Sequence, residues 1–356
     1  MRSERPAPRI NAIATAVPAS RCNGSYARWA QDRLANSREA ALVERMLQRS
    51  GIANRYSVLP ERDTRLEPDS FYTRPDPPST AERMAVYARE APHLAERAAR
   101  GLEQPLAGVT HLVVASCTGF LAPGLDQLLA RRLGLDPGVE RVMIGFMGCY
   151  AGVTALRSAG HIVRSDPDAC VLVVAVELCT LHLQPANAAE PLLAMAQFAD
   201  GAAAAMVSAD GNGLALGEGL SMTLEDSDSL ITWTIGDTGF AMHLSGAVPG
   251  RLAEALGDPA VAEAITSGNT PLSIAAWAIH PGGRSILDAA QRSLGLPPER
   301  LAASRAVLHD YGNMSSASVL FVLHRLMAER PASGIALAFG PGLAMEGLRF
   351  GWTDAG

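Results

Sequence analysis

Cys149 is the first residue whose type and position suggest chemistry. It stands in "RVMIGFMGCYAGVTALRSAG" (141–160), after an apolar run and Gly148, and directly before a segment with helical spacing. In the first turn of a helix, free N–H groups and the helix dipole favour a thiolate over a thiol. Free cysteines are also among the most frequently buried residues, so Cys149 alone supports both a nucleophile and a core thiol.

His280 and Asn313 favour the nucleophile. His280 closes the apolar run 274–279 and precedes a Pro-Gly-Gly turn, at a strand end of the kind that presents catalytic groups. A histidine there is expected to stabilise a thiolate as an imidazolium and to donate a hydrogen bond to a substrate carbonyl. Asn313, in "YGNMSSAS", offers an amide donor without negative charge, although a helix cap would also explain it.

An internal repeat relates two of these residues. "GCYAGVTAL" (148–156) and "GNMSSASVL" (312–320) both place a Gly, a polar residue and small residues at the start of a helix. The flanking segments keep the same order, so Cys149 and Asn313 are equivalent positions 164 residues apart. The repeat predicts two duplicated halves, 1–215 with the Cys and 216–356 with the His and Asn, whose helix starts meet at one centre.

The elements that must position these residues are read from the apolar pattern. Segments 124–135 and 150–165 have helical spacing, and 55–80 is rich in Pro and charge and predicts an ordered loop. Alternating strands and helices predict an α/β fold around a buried, largely parallel sheet. The apolar runs that predict strands are 110–116, 141–146, 170–176, 202–208, 274–279 and 334–340.

Composition narrows the class of protein. With 48% hydrophobic residues, 19% charged residues and a formal net charge of −6, the chain is expected to be a soluble globular protein and not a nucleic-acid binder. The five cysteines form no CxxC pair, which favours a reducing compartment and no metal site. Cys149 aside, the cysteines interpreted as buried core residues are Cys117, Cys170 and Cys179.

The N-terminus superficially suggests a signal peptide because it begins with an Arg-rich segment. Its apolar stretch is short and closed by Pro18, so a first strand is the better interpretation. No apolar run reaches the roughly 20 residues that a membrane-spanning helix needs. We therefore expect a cytoplasmic protein with no membrane span.

The order Cys, His, Asn also occurs in papain-like hydrolases, and His280 follows Cys149 by 131 residues, near the span such proteases use. The local context differs, because Cys149 lies mid-chain in a duplicated α/β pattern and lacks the C-G-[SA]-C-[WY] signature. A hydrolase stays a remote alternative.

Several longer motifs resemble one family. They run in order from about residue 110 to 350 and are similar to the type III polyketide synthases, the chalcone-synthase-like family of the thiolase fold. The resemblance implies a thiolase-like five-layered αβαβα fold, usually homodimeric, with no bound metal or redox cofactor. The motifs are "RVMIGFMGCYAGVTALR", "QFADGAAAAMV", "GFAMHLSGAVPG", "AIHPGGRSILD", "YGNMSSASVLFVL" and "FGPGLAMEGLRF".

The same resemblance implies an activity. Cys149 would take a starter acyl group from coenzyme A (CoA) as a thioester, while His280 and Asn313 would promote decarboxylation of malonyl-CoA and hold the enolate oxygen. Each cycle would add two carbons before the chain cyclises to a resorcinol, pyrone or phloroglucinol-type product. Decarboxylation develops negative charge on the thioester oxygen, so hydrogen-bond donors there lower the barrier.

The resemblance also assigns the pocket. Phe198 and Met242 match two gatekeeper positions between the CoA tunnel and the cavity, and Met242 stands where an aromatic residue is usual. Ala122 matches a residue that crosses the dimer interface into the partner's cavity. Small or flexible residues here favour an aliphatic starter, with an aromatic starter or a catalytically silent acyl-CoA-binding relative as alternatives. The other positions assigned to the substrate pocket are Thr180, His182, Cys117, Thr118 and Ser315.

Binding of CoA is expected at basic positions of one helix. Arg45 and Arg49 match two residues that contact CoA phosphates, and their four-residue spacing places both on one helical face. A third basic position is Leu42 in this chain, and Ser285 is also assigned to CoA. The implied ligands are acyl-CoA and malonyl-CoA.

Overall fold

A computed structural model describes residues 7–22 and 24–354 of the chain. The Arg-rich start of the N-terminus lies mostly outside the described residues, and the predicted first strand is confirmed as β1. The strands are β1 (Arg9–Ala16), β2 (Ser20–Arg21), β3 (Tyr56–Ser57), β4 (His111–Ser116), β5 (Glu140–Gly145), β6 (Val171–Leu178), β7 (Asp200–Ser208), β8 (Gly213–Thr223), β9 (Ile231–Gly236), β10 (Gly239–Leu244), β11 (Ala276–Ile279), β12 (Gly334–Gly340) and β13 (Ala344–Thr353).

The helices surround and separate these strands. Short 3₁₀ turns at Cys179–His182 and Ser315–Ala317 also bear on the site. The helices are α1 (Ser25–Asp32), α2 (Ser37–Gln48), α3 (Glu61–Thr64), α4 (Thr80–Arg100), α5 (Leu125–Leu133), α6 (Ala151–Ser165), α7 (Ala189–Met195), α8 (Val248–Gly257), α9 (Pro259–Thr266), α10 (Arg284–Ser293), α11 (Ala302–Tyr311) and α12 (Ser318–Met327).

The predicted elements are confirmed to within about two residues, and the predicted loop 55–80 contains only β3, α3 and turns. The long helix α4 was not predicted, although Ser79 and Glu82 give its sequence signal. The Ser79 side chain accepts from the Glu82 N–H while the Glu82 side chain accepts from the Ser79 N–H. This reciprocal capping box is a recognisable start of a helix.

The strands β11-β12-β13-β8-β1-β7-β6-β4-β5 form one sheet in that order. The prediction of a largely parallel sheet is wrong, because five of the eight neighbouring pairs are antiparallel. Helices cover both faces, so the strands read as continuous apolar runs whatever their direction. An apolar run reports burial, and it carries no information about which way the neighbouring strand points.

The strand order supports the predicted duplication. From the centre outward one half reads β1, β7, β6, β4 and the other reads β8, β13, β12, β11, so in each half the first strand pairs with the last. The two first strands pair with each other at Arg9–Ala215 and Ile10–Leu214. The division at 215/216 falls within β8 and stays a prediction.

Helices α6 and α12 form the middle layer, because each contacts strands from both halves. Helices α4 and α5 cover the outer face of the first half, and α8 and α10 pack into the apolar cluster of the second. The predicted α/β, thiolase-like arrangement with layers in the order αβαβα is confirmed. The starts of α6 and α12 are thereby brought to the centre of the molecule.

Gly152, in the first turn of α6, allows the two halves to approach closely. A β-carbon at this position would lie 2.1 Å from the backbone carbonyl oxygen of Ser316. Because this oxygen belongs to the backbone just before α12, it cannot move aside as the end of a flexible side chain could. Glycine is therefore required where the repeated helix starts meet.

We expect Gly152→Ala to lower the free energy of unfolding by about 1–3 kcal/mol, because the added methyl group overpacks this contact. Gly250→Ala is the matched control, since Gly250 lies in α8 with nothing within 4 Å of a built β-carbon. The control should be neutral or slightly stabilising. Urea unfolding of both variants measures the difference, and equal stability would contradict the close contact.

Candidate active site

Cys149 precedes Tyr150, the N-cap of α6, so it lies just before the helix and not in its first turn, where it was predicted. Gly148 precedes it with a φ of 90°, and a β-carbon there would lie 2.4 Å from Pro341 Cδ. The Gly148 N–H also donates to the Cys117 sulfur at 3.0 Å. A tight glycine turn, supported by a second cysteine, therefore holds the nucleophile candidate at the helix start.

His280 follows the last residue of β11, where the backbone N–H donates to the Leu337 carbonyl of β12 at 2.8 Å. Its side chain is buried, and neither ring nitrogen has a hydrogen-bond partner among the described residues. Because neither ring nitrogen is hydrogen-bonded within the described residues, the imidazole can donate a hydrogen bond to a bound substrate or accept one from it.

Asn313 follows Gly312, whose φ of 72° turns the chain out of α11. Its N–H donates to the Gln197 carbonyl at 2.8 Å, and its own carbonyl accepts from the Ala199 N–H at 2.9 Å. The amide Oδ1 accepts from the Ser315 N–H at 2.8 Å. The NH2 group donates to the Gly282 carbonyl at 3.3 Å, and Gly282 lines the same cavity as Asn313.

One cavity, here called the cysteine cavity, is lined by Cys149, His280 and Asn313. Its empty volume is about 1440 Å³, including space open to solvent. The internal repeat predicted that Cys149 and Asn313 meet at one centre, and the fold brings them there from equivalent positions of the two halves. The three residues come from three separate elements.

Burial opposes the predicted charges of Cys149 and His280, which stay predictions. Burial raises the pKa of the Cys149 thiol to about 11, and it outweighs the hydrogen bonds from Ser315 and Asn313 that lower this pKa. Burial also lowers the pKa of His280 to about 3. Burial of both side chains therefore disfavours the separate charges of thiolate and imidazolium.

Glu177 was missed as a site residue, and it lies fully buried at the end of β6. One carboxyl oxygen accepts from the Cys117 N–H at 2.9 Å and from the Thr118 hydroxyl at 2.8 Å, and the other contacts the Ser316 hydroxyl. Burial raises the pKa of Glu177 to about 7. An acidic residue inside the apolar run "VLVVAVEL" was the available sequence signal.

A second cavity lies beyond the first, and the predicted pocket residues Thr180 and His182 line it. Phe198, Trp233 and Met242 line both cavities and form the wall between them. Phe198 and Met242 thus stand at a boundary between two cavities, and their implied place between a CoA tunnel and the active cavity stays a prediction. Trp233 was missed, because nothing in its local sequence sets it apart from a core tryptophan.

Other predicted pocket residues lie elsewhere, since among the described residues neither cavity lining includes Cys117, Thr118 or Ser315. Cys117 supports Gly148, and Thr118 Oγ1 accepts from the Leu178 N–H at 2.9 Å while donating to Glu177. The Cys117 and Thr118 side chains are thus committed to hydrogen bonds behind the cavity, whereas the Ser315 hydroxyl lies beside the Cys149 thiol and lowers its pKa.

Ala122 is exposed on the surface of this single chain, so its predicted place in a partner's cavity stays a prediction. Ser285, assigned to CoA, lines the cysteine cavity together with Met46 of α2. Arg45 and Arg49 are exposed near the end of α2, one turn apart.

Comparison with known proteins decides the family. Residues 3–211 match the family model of the N-terminal domain of chalcone and stilbene synthases, and residues 216–351 match that of the C-terminal domain. The chain belongs to the chalcone and stilbene synthase family. These type III polyketide synthases are acyltransferases that use acyl-CoA and malonyl-CoA, and the hydrolase alternative is wrong.

Relatives of this synthase agree along nearly its whole length. It is 33% identical to the alpha-pyrone synthesis polyketide synthase-like Pks18 of Mycobacterium tuberculosis, over 96% of this chain and 90% of the relative. The structure of PKS-I from the brown alga Ectocarpus siliculosus superposes with a TM-score of 0.88 and 29% identity, covering 99% of this chain and 100% of that one.

A further structural match is the C-terminal type III polyketide synthase domain of Steely1, a type I/III hybrid from Dictyostelium. Its TM-score is 0.84 at 26% identity, with 98% of this chain and 100% of that chain covered. The fold and the family expected from the motifs are thereby confirmed.

Within residues 7–22 and 24–354, no cluster of His, Cys, Asp or Glu is arranged to hold a metal ion. In the same part of the synthase, no helix is both long enough and apolar enough to cross a membrane. All five cysteines are free. The expected cytoplasmic location and the expected lack of a cofactor stay predictions.

Glu177→Gln should lower the pKa of Cys149, because the ionised carboxylate is one of the groups that raise it. Iodoacetamide should therefore alkylate Cys149 faster in the variant above pH 7, where Glu177 is ionised, and equally fast below. A pH series of alkylation rates measures this. Glu346→Gln is the control, since that carboxylate pairs with Arg157, and equal rates for both variants would contradict the coupling.

The same variant tests stability. The folded-state pKa of Glu177 lies above its ordinary 4.5, so its contribution to the free energy of unfolding falls as the pH rises from about 4.5 to about 7. Glu177→Gln should remove this part of the pH dependence.

Proposed function

We propose that this synthase condenses malonyl-CoA repeatedly, with loss of CO2, onto an acyl starter carried by Cys149. The observation that carries the proposal is the cysteine cavity, in which a buried thiol, an uncommitted imidazole and an oriented amide line one space. We further propose an aliphatic starter and cyclisation to a resorcinol, pyrone or phloroglucinol-type product.

The loading step follows from the resting protonation states. As the starter thioester enters, the Cys149 proton passes to His280, and the resulting ion pair is neutral overall within the cavity. The thiolate attacks the thioester carbonyl, and the C–S bond to CoA breaks. The leaving CoA thiolate then takes the proton from His280, which returns to the neutral form.

The extension step uses the same donors. When malonyl-CoA decarboxylates, its C–C bond electrons move toward the thioester oxygen, where neutral His280 and the Asn313 NH2 group donate hydrogen bonds. The enolate carbon attacks the acyl group on Cys149, and the Cys149 thiolate leaves. Two neutral donors stabilise this developing charge without adding a competing anion, which suits a dry cavity.

The second cavity supports an aliphatic starter. Its lining includes a set of apolar side chains beyond the dividing wall, and Met242 makes that wall flexible at one point. The name of the mycobacterial relative refers to alpha-pyrone synthesis, which supports a pyrone among the proposed products. The apolar lining includes Leu59, Leu66, Leu183, Met195 and Phe240.

CoA is proposed to lie at the mouth of the cysteine cavity, where Met46 and Ser285 line the entrance and Arg45 and Arg49 supply positive charge. Arg284, the first residue of α10, donates to the Arg49 carbonyl at 3.0 Å and adds a third cation beside them. This cluster suits the phosphates of CoA, and Arg284 offers a charge that Leu42 does not.

A homodimer is proposed from the edge of the sheet. β5 ends the strand order, and apolar side chains around it are unusually exposed, with Phe120 at 50%, Val142 at 43% and Met143 at 41%. An apolar edge strand is a ready surface for a second chain. Exposed Ala122 lies two residues from Phe120, so a second copy seated there would meet it.

The proposed reaction is tested with malonyl-CoA and either a fatty or an aromatic acyl-CoA. We expect CO2 release, acylated Cys149 by mass spectrometry and cyclised product with the fatty starter. Cys149→Ala should lose acyl-enzyme and product, whereas the control Cys170→Ala should retain both. A preference for the aromatic starter would indicate a chalcone or stilbene-type synthase, and no CO2 release would indicate a silent acyl-CoA-binding protein.

Trp233→Ala should join the two cavities and shift the products toward longer chains, because the indole is part of the wall that separates them. Liquid chromatography with mass spectrometry measures the distribution of products from one fatty starter. Trp352→Ala, on β13 away from both cavities, should leave that distribution unchanged. An unchanged distribution in Trp233→Ala would show that another residue limits chain length.

Val142→Glu should convert the proposed dimer to a monomer, since a charge is costly to bury in an apolar interface. Light scattering after size exclusion should give twice 37.3 kDa for the unmodified chain and 37.3 kDa for the variant. Leu272→Glu, at another exposed apolar site away from β5, should remain dimeric. A monomeric unmodified chain would contradict the proposal.

A further inference from the structure

The segment that carries Phe198 is held from two opposite sides. On one side the Gln197 carbonyl accepts from the Asn313 N–H at 2.8 Å, and the Ala199 N–H donates to the Asn313 carbonyl at 2.9 Å. The Phe198 carbonyl points the other way, as alternate carbonyls do in extended backbone. There it accepts a hydrogen bond from Arg55 Nη1 at 2.9 Å.

Arg55 is itself fixed in place. It is buried, its Nη2 donates to the Cys22 carbonyl at 3.2 Å, and its own carbonyl accepts from the Cys22 N–H at 3.0 Å. The guanidinium lies 5.2 Å from the centre of the Tyr26 ring. The Cys22 carbonyl and the Tyr26 ring thus fix the direction of the Arg55 guanidinium, which points its Nη1 at the Phe198 carbonyl.

The stem of Arg55 also packs beneath the turn that delivers Asn313. A β-carbon on Gly312 would lie 2.9 Å from Arg55 Cγ and 2.9 Å from the Gln197 carbonyl oxygen. Gly312, Arg55 and the 197–199 segment are thus in mutual contact, with no room for another side chain. A shift of Arg55 would be transmitted to the backbone on both sides of Asn313.

Beyond Phe198 the same segment is anchored by Asp200. Its carboxylate accepts from the Val58 and Thr180 N–H groups, each at 2.8 Å. The segment 197–200 is therefore held at three places. Asp200 anchors its C-terminal end, the Asn313 backbone pairs with Gln197 and Ala199, and the Arg55 guanidinium binds the Phe198 carbonyl on the opposite side.

We propose that Arg55 is a positioning residue for the condensation: by holding the Phe198 carbonyl, it fixes both the aromatic ring between the two cavities and the backbone on which the Asn313 amide rests. This inference rests on the proposed function. Arg55 lines the second cavity and not the cysteine cavity, so it is placed to act on the condensation through Phe198 and Asn313.

The proposal separates two steps of the reaction. Cys149 is held by Gly148, Cys117 and the start of α6, which lie on elements other than the Arg55 contacts. Loading of Cys149 should therefore depend on Arg55 less than decarboxylation does, since the Asn313 hydrogen bond ranks behind burial, Ser315 and Glu177 among the influences on the pKa of Cys149. Decarboxylation depends on where the Asn313 amide points, and the choice of starter depends on where the Phe198 ring stands.

The test compares Arg55→Met, which keeps the stem and removes the donors, with Arg55→Lys, which keeps one donor group. The first readout is a ratio, the rate of CO2 release from malonyl-CoA divided by the rate of Cys149 acylation. Intact-protein mass spectrometry measures the acylation. The second is the ratio of products from two fatty acyl-CoAs of different length in competition. Neither ratio depends on the fraction of folded enzyme.

We expect Arg55→Met to lower the first ratio about tenfold, because a buried carbonyl left unpaired costs enough to displace the segment. The starter ratio should change in the same variant, and Arg55→Lys should recover part of both. The control is Arg164→Met, since Arg164 likewise donates to two backbone carbonyls, of Leu216 and Gly217, and lines neither cavity. It should leave both ratios unchanged.

An Arg55→Met variant that loses loading and CO2 release by the same factor would overturn the proposal and leave Arg55 a purely structural residue. If that variant does not fold, unchanged ratios in folded Arg55→Lys would overturn it equally. Absence of CO2 release from the unmodified enzyme would instead contradict the proposed function.

Discussion

The backbone contact between Gly152 and Ser316 is the constraint on which the site depends. Here the first turn of α6 meets the turn before α12, and a methyl group would not fit between them. Because the two turns are equivalent in the duplicated halves, this contact places Cys149 and Asn313 at one centre. The layers outside it, with α4 and α5 on one face and α8 and α10 on the other, bury that centre.

Burial of the centre opposes charge on its titratable groups. Burial raises the pKa of Cys149 and of Glu177 and lowers that of His280, so each group is driven toward its neutral form. Neutral groups are compatible with the proposed chemistry. Proton transfer from Cys149 to His280 and decarboxylation of malonyl-CoA both create charge only when a thioester occupies the cavity. In the proposed reaction, His280 and Asn313 then supply hydrogen bonds to the thioester oxygen in place of water.

The cavities themselves are divided by side chains from distant parts of the chain. Phe198 belongs to the segment before β7, whereas Trp233 and Met242 face each other across the β9–β10 hairpin. The same segment that supplies Phe198 also pairs with Asn313, so the wall and the amide share one backbone support. Starter passage and decarboxylation are therefore coupled through the structure of residues 197–200.

The sequence alone determined the family, the duplication, the main strands and the three residues that converge in the cysteine cavity, because these depend on local patterns and on motifs preserved in order. Strand direction, the roles of Glu177 and Trp233, and the protonation of Cys149 and His280 were decided only by tertiary structure. Burial on both faces hides the direction of a strand, and desolvation depends on what packs around a group. Arg55 shows the same limit, since nothing near it in the chain reveals that it reaches a carbonyl 143 residues away.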